Sequence, residues 1–147
     1  MRTFLGLFLL MLAPMLAAED IHMVRCKLPF PEAMTVLQET IRENGYQVSR
    51  VQRVDIGLTT FGYQTDKYRV VFFGKLDEVR HISAEHVSLI PYVPLKIAIF
   101  AEGEETLLLA SSFSHLRRLY TEPELQDDFD RWEADTRRIL DTVRVAE

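Results

Sequence analysis

Tyr68-Arg69-Val70-Val71-Phe72-Phe73-Gly74 is the stretch that decides the fold. Four consecutive apolar residues, β-branched then aromatic and closed by a glycine, have the pattern of a central strand covered on both faces. A strand with one wet side would alternate instead. Downstream, Leu76, Val79, Ile82, Val87 and Ile90 recur at helical spacing, and Asp77 and Glu78 fall in the first turn, where the helix dipole favours acids. A helix over residues 76–90 is predicted, stopped by Pro91 and Pro94. The runs 95–101 and 106–110 then form a hairpin through Glu102-Gly103-Glu104.

Upstream, residues 46–56 are rich in β-branched side chains and predict another strand. Val48 and Val51 break its alternation in the manner of a bulge. Gly57, Gly62 and Thr65-Asp66 punctuate the connection to the central strand. Before it, Pro31 opens a helix whose buried stripe is Ala33, Val36, Leu37, Thr40 and Ile41. Asn44-Gly45 supplies its left-handed stop. Residues 21–27 alternate as a strand with Val24 and Cys26 turned to the core. At the other end, Thr121, Pro123 and Glu124 read as a capping box for a long C-terminal helix. Leu125, Phe129, Trp132, Thr136, Ile139, Leu140 and Val143 make its apolar face. The order βαββαββα predicts an α+β fold, a mixed sheet with helices packed on it.

The first eighteen residues have the grammar of an export signal. Arg2 precedes an unbroken apolar run over residues 4–16, and small residues Ala17-Ala18 follow. As a helix the run rises only about 20 Å against a hydrocarbon core of roughly 30 Å, so a stable membrane span is not expected. Cleavage after Ala18 leaves residues 19–147 as a single domain in the periplasm or secreted medium, with retention of the segment as an anchor the alternative. Loss of Arg2 reduces the seventeen basic residues to sixteen against twenty-two acids, a net charge of minus six. An acidic domain without a basic patch is not built for nucleic acid. Cys26 is the single cysteine, so no internal disulfide forms and burial must supply the stability.

Phe72-Phe73-Gly74 at the strand end, Pro94-Leu95-Lys96-Ile97 opening the next strand and the acidic turn Glu102-Gly103 together resemble the Domain of Unknown Function 302 family. In that family a Phe-Gly-Asn-Pro turn closes one strand and a Leu-Pro-Leu-Lys-Val segment begins another. The resemblance runs from about Tyr46 into the last helix. It implies a compact α+β domain, frequent homodimers and no agreed biochemical activity. Fold alone does not supply one. Two departures stand out. Asp55 is followed by Ile56 where many members carry Asp-His, and Lys75-Leu76 replaces the Asn-Pro of the turn.

No catalytic constellation is legible. Ser111-Ser112 lacks a glycine elbow, and the acidic pairs Glu104-Glu105 and Asp127-Asp128 sit in a turn and on a polar helix face. His81 and His86, five apart on one predicted helix, do not make the i, i+4 pair of a helical zinc site. No metal ligands and no cofactor are therefore assigned. The candidate ligand-binding residues are Tyr63, Lys67, Tyr68 and Arg69, leading from a glycine-containing loop into the central strand, with Tyr92 and Lys96 at the start of the neighbouring strand. Cations interleaved with tyrosines suit a small anionic or aromatic ligand. The competing reading pairs Lys67 and Arg69 with nearby acids and lets the tyrosines cover the core edge. The chain thus reads as a non-catalytic module binding a small ligand or another subunit. The alternative is a redox protein holding haem or a metal through His, Met or Cys26, and an enzyme whose site forms only between subunits is a third possibility.

Overall fold

The computed structural model describes residues 21–147, so the export signal and cleavage after Ala18 expected from the sequence lie outside the described residues. Strand β1 (Ile21–Cys26) leads through Pro29 into helix α1 (Phe30–Glu43). Gly45, at φ +80°, turns the chain into strand β2 (Gln47–Arg53), as the Asn44-Gly45 stop predicts. A short helix α2 (Val54–Thr59) follows, then β3 (Tyr68–Gly74), α3 (Leu76–Glu85), a 3₁₀ turn (Val87–Tyr92) and the hairpin of β4 (Leu95–Glu102) and β5 (Glu105–Ser111). A single turn α4 (Leu116–Leu119) precedes the long α5 (Pro123–Val145).

The five strands form one sheet in the order β1-β5-β4-β3-β2. Every ladder in it is antiparallel, where a mixed sheet was expected. The expectation arose because helices link β1 to β2 and β3 to β4. In the molecule α1 carries the chain between the two opposite edges, and α3 returns it to a neighbouring strand running the other way, so neither link makes a parallel pair. The predicted bulge is present: the β2–β3 register shifts between Val48 and Arg50, and Ser49 Oγ donates to Phe72 O at 3.2 Å.

One face of the sheet is covered. Helices α1 and α5 lie against it, burying Ala33, Leu37 and Ile41 from one and Leu125, Phe129, Trp132, Ile139, Leu140 and Val143 from the other. The strands answer with Cys26, Val71, Phe73, Leu95, Ile97, Ile99 and Leu108. Tyr46, packed edge-on to Phe73 at 5.4 Å, donates to Asp135 Oδ2 at 2.7 Å and so helps to satisfy the acid that α5 buries there.

Four local readings change. The helix predicted over 76–90 ends at Glu85, because Pro91 lacks an N–H and its ring would meet the carbonyl of Val87; the chain tightens to 3₁₀ there and buries Leu89. Leu76, Val87 and Ile90, assigned to its apolar stripe, are exposed. Thr121 makes no capping bond: α5 starts at Pro123 with Glu122 in extended conformation before it, and Gln126 reaches back to the carbonyls of Tyr120 and Arg117. The strand expected over 46–56 stops at Arg53. Finally, β3 is buried on one face only: Val71 and Phe73 are fully covered, whereas Val70 and Phe72 are half-buried.

Candidate functional site

Because side chains alternate across a strand, the residues opposite the helices form a second sheet face. Its rows follow from the register. Gln52, Val70, Ala98, Leu109 and Met23 lie side by side across all five strands. Tyr68, Phe100, Leu107 and Arg25 make a second row, with the Tyr68 and Phe100 rings 5.9 Å apart, and Arg50, Phe72 and Lys96 begin a third that Ser111 and Ile21 complete. Among the described residues no helix covers this face. Ile21 and Met23 are more than half exposed, and a shallow depression of about 280 Å³ lies between Tyr68, Val70, Lys96, Ala98 and Leu109.

Charge divides this face along the strands. Lys96 and Arg50 stand at the end where β4 begins, and Glu102 and Glu105 at the end where it turns back. Arg25 Nε donates to Glu102 Oε2 at 2.7 Å, and that hydrogen bond raises the Arg25 pKa further. Among the described residues Lys96 Nζ reaches only the carbonyl of Pro91, at 3.3 Å.

The six residues singled out in the sequence separate by strand parity. Tyr68 and Lys96 share the open face, and Lys96 and Tyr92 line a second, smaller cavity at its end. Lys67 and Arg69 sit at the Phe30 ring on the helix side, with Nζ 6.0 Å and Cζ 5.8 Å from its centroid. Arg69 is paired with Asp55, and that hydrogen bond holds the Asp55 carboxyl below its ordinary range against the opposing pull of burial. Arg69 is thus an internal strut. Tyr63 is exposed in the loop before β3 and joins neither group.

Two polar clusters went unseen in the sequence. Glu133 of α5 accepts from Phe113 N at 2.7 Å and Ser112 Oγ at 3.2 Å through one oxygen, and lies 2.6 Å from His22 Nε2 and 3.0 Å from Arg137 Nε through the other. Burial opposes its charge, yet the Phe113 N–H, Arg137 and His22 outweigh burial and keep its pKa low. The carboxylate stands between imidazole and hydroxyl, so His22 does not take the Ser112 proton; the group fastens the chain after β5 to α5. The second cluster is Arg131 with Glu78 and Asp128, joined by Trp132 Nε1 donating to Glu78 Oε2 at 2.9 Å. It clamps α3 to α5.

Cys26 is 2% exposed, with Sγ 3.9 Å from Leu28 O, and burial pushes its thiol pKa up. His81 and His86 meet edge-on at 5.7 Å because the helix ends between them, where a continuous helix would have kept them apart. No group of three His, Cys, Asp or Glu among the described residues converges on a metal-sized site, and no described helix is long and apolar enough to cross a membrane.

With this geometry in view, the comparisons place the chain. Residues 22–143 match the family model "Domain of unknown function DUF302", which covers most of the sequence. The chain belongs to that family. The crystal structure of an uncharacterised conserved DUF302 protein from Bacillus stearothermophilus superposes with a TM-score of 0.75 at 18% identity, over 86% of this chain and 100% of that one. At that identity the likeness is one of fold. No curated protein matches.

The family's short motif has a physical basis here. A side chain at Gly74 would put its Cβ 3.2 Å from Val79 Cγ2 and 3.6 Å from Pro94 Cβ. The glycine lets the first turn of α3 and the start of β4 close over the end of β3.

Proposed function

We propose that this protein is a non-catalytic interaction module, acting outside the cytoplasm, whose uncovered sheet face takes a second copy of the same chain. The observation that carries the reading is the apolar centre of that face, Val70, Ala98, Phe100, Leu107 and Leu109, set between a basic and an acidic end. A two-fold axis in the plane of the face and perpendicular to the strands brings Lys96 and Arg50 of one copy against Glu102 and Glu105 of the other. Five strands about 4.8 Å apart and some six residues long at about 3.3 Å each present roughly 24 by 20 Å, so two copies cover on the order of 1,000 Å², where specific interfaces begin. The sheets would stack about 10 Å apart, as in a sandwich. Arg2 and the apolar run over residues 4–16 support the location.

Sedimentation equilibrium of the chain from Glu19 tests the pairing. A dimer is expected, dissociated by Ala98→Glu at the centre of the face with unchanged circular dichroism. Lys96→Glu and Glu105→Lys should each weaken it, and the double swap should restore it. A protein that stays monomeric at about 0.1 mM, where even an affinity of only ~10 µM would show, refutes the reading. Fractionation of the native source, with the protein retained in the cytosol, would refute the location.

A further inference from the structure

A second site follows from the way β4 and β5 part. Their ladder runs from Glu102↔Glu105 to Ala98↔Leu109 and stops there, although β4 begins at Leu95 and β5 continues to Ser111. Each strand remains tied on its other side, β4 to β3 as far as Leu95↔Phe73 and β5 to β1 as far as Ser111↔Ile21. The two are therefore held apart as a fork, and a cavity of about 100 Å³ occupies it.

The lining of the fork is graded. Leu95 and Phe113 supply buried apolar wall, and Tyr92, the last residue of the 3₁₀ turn, borders it. At the mouth stand Ser111 and Lys96, both exposed; no carboxylate among the described residues pairs with that ammonium. Thr136 of α5 also lines the cavity. It is 2% exposed, and its hydroxyl has no hydrogen-bond partner among the described residues. A buried hydroxyl left unpaired is costly, and a polar atom arriving in the cavity removes that cost.

We propose that the fork binds a short-chain hydroxycarboxylate, with its carboxylate on Lys96 and Ser111, its carbon chain against Leu95 and Phe113, and its hydroxyl on Thr136. The size follows from the volume: a 150 Å³ apolar cavity takes the six carbons of benzene, so about 100 Å³ holds roughly four heavy atoms, three carbons and the hydroxyl, with the carboxylate outside at the mouth. Ammonium and hydroxyl at the mouth suit one carboxylate, since charge-assisted hydrogen bonds are the strong ones. The site deepens the module reading and shares Lys96 and Ser111 with the open face, so the ligand carboxylate and the acids of a second copy exclude one another at that ammonium.

Calorimetric titration of the whole chain from Glu19 with 3-hydroxybutyrate, butyrate and sodium chloride tests the assignment, with sedimentation of the same samples reporting the oligomer separately. Saturable binding of 3-hydroxybutyrate is expected, tighter than butyrate and absent for chloride. Lys96→Met, at an exposed position, should weaken it by about tenfold or more through loss of a charge-assisted bond. Thr136→Val keeps the shape and removes the unpaired hydroxyl; it should leave the melting temperature unchanged or higher and abolish the preference for 3-hydroxybutyrate over butyrate. No saturable binding up to ~10 mM, equal heats from chloride, or affinity unchanged in Lys96→Met would each overturn the proposal. So would a preference for the hydroxylated ligand that survives Thr136→Val, or occupation of the fork by ordered water alone in a crystal soaked with 3-hydroxybutyrate.

Discussion

Replacing Glu133 by glutamine should destabilise the protein at neutral pH and hardly at all in acid. The carboxylate accepts from Phe113 N and Ser112 Oγ on one oxygen and from Arg137 Nε on the other, which also lies 2.6 Å from His22 Nε2. An amide keeps one accepting oxygen, and its NH₂ must take the place of the other. The buried Phe113 N–H holds the oxygen, so the NH₂ faces His22, 7% exposed, and displaces the charge-assisted bond from Arg137, 55% exposed. The loss is therefore close to one charge-assisted hydrogen bond in a partly buried setting, about 2 kcal/mol. For a domain of this size, at roughly 3–4 °C per kcal/mol, the melting temperature should fall by about 6–8 °C. The folded pKa of Glu133 lies below its unfolded value of about 4.3, so its contribution is complete above that value and disappears as pH falls through the folded pKa. Urea unfolding of both proteins from pH 7 to pH 3 makes the comparison, since every other acid titrates equally in the two. A gap that stays constant across that range, or that is missing at pH 7, would refute the assignment of stability to this carboxylate.

Tyr46→Phe deletes the donor to Asp135 Oδ2 and should cost about 1–3 kcal/mol in urea unfolding, with Arg138, 2.8 Å from the other oxygen, limiting the loss. Burial, then the Asp135 hydrogen bond, raise the Tyr46 phenol above its ordinary range, so alkaline difference spectra should show one tyrosine that ionises only on unfolding. Cys26 should resist a thiol reagent in the folded protein and react fully in denaturant; rapid labelling in native buffer would contradict its burial. Gly74→Val should lower the melting temperature more than Gly74→Ala, since the alanine methyl meets Val79 Cγ2 at 3.2 Å while valine adds two further carbons there. Equal stability of the two variants would show that this junction has room to spare.

Much of the architecture was legible from spacing. The stripes of α1 and α5, the Asn44-Gly45 stop, the bulge near Ser49 and the β4–β5 hairpin all rest on short-range rules, and each is present. What failed was long-range. The run Val70-Val71-Phe72-Phe73 is apolar on both faces, and sequence cannot say that one of them meets helices and the other does not. Strand direction was missed because a helix between two strands does not fix which neighbours they take. At the site, Lys67, Tyr68 and Arg69 are adjacent in sequence and so were grouped, yet a period of two sends Tyr68 to one face and its flanking cations to the other. Ser111 was visible as a strand end and Thr136 as a core position, but their meeting in the fork depends on where the β4–β5 ladder stops. Nothing in either segment alone encodes that.

The position of β1 has a kinetic consequence. Among the described residues its one strand partner is β5, with Ile21 opposite Ser111 and Cys26 opposite Thr106, so a strand made before the other four is among the last able to dock. Local pairs such as β4–β5 and β2–β3 can assemble early, while closing the loop from β1 to β5 has to await the hairpin and yields its reward late. Refolding should therefore pass through a slow phase in which residues 21–26 still exchange their amide hydrogens freely while the hairpin is already protected.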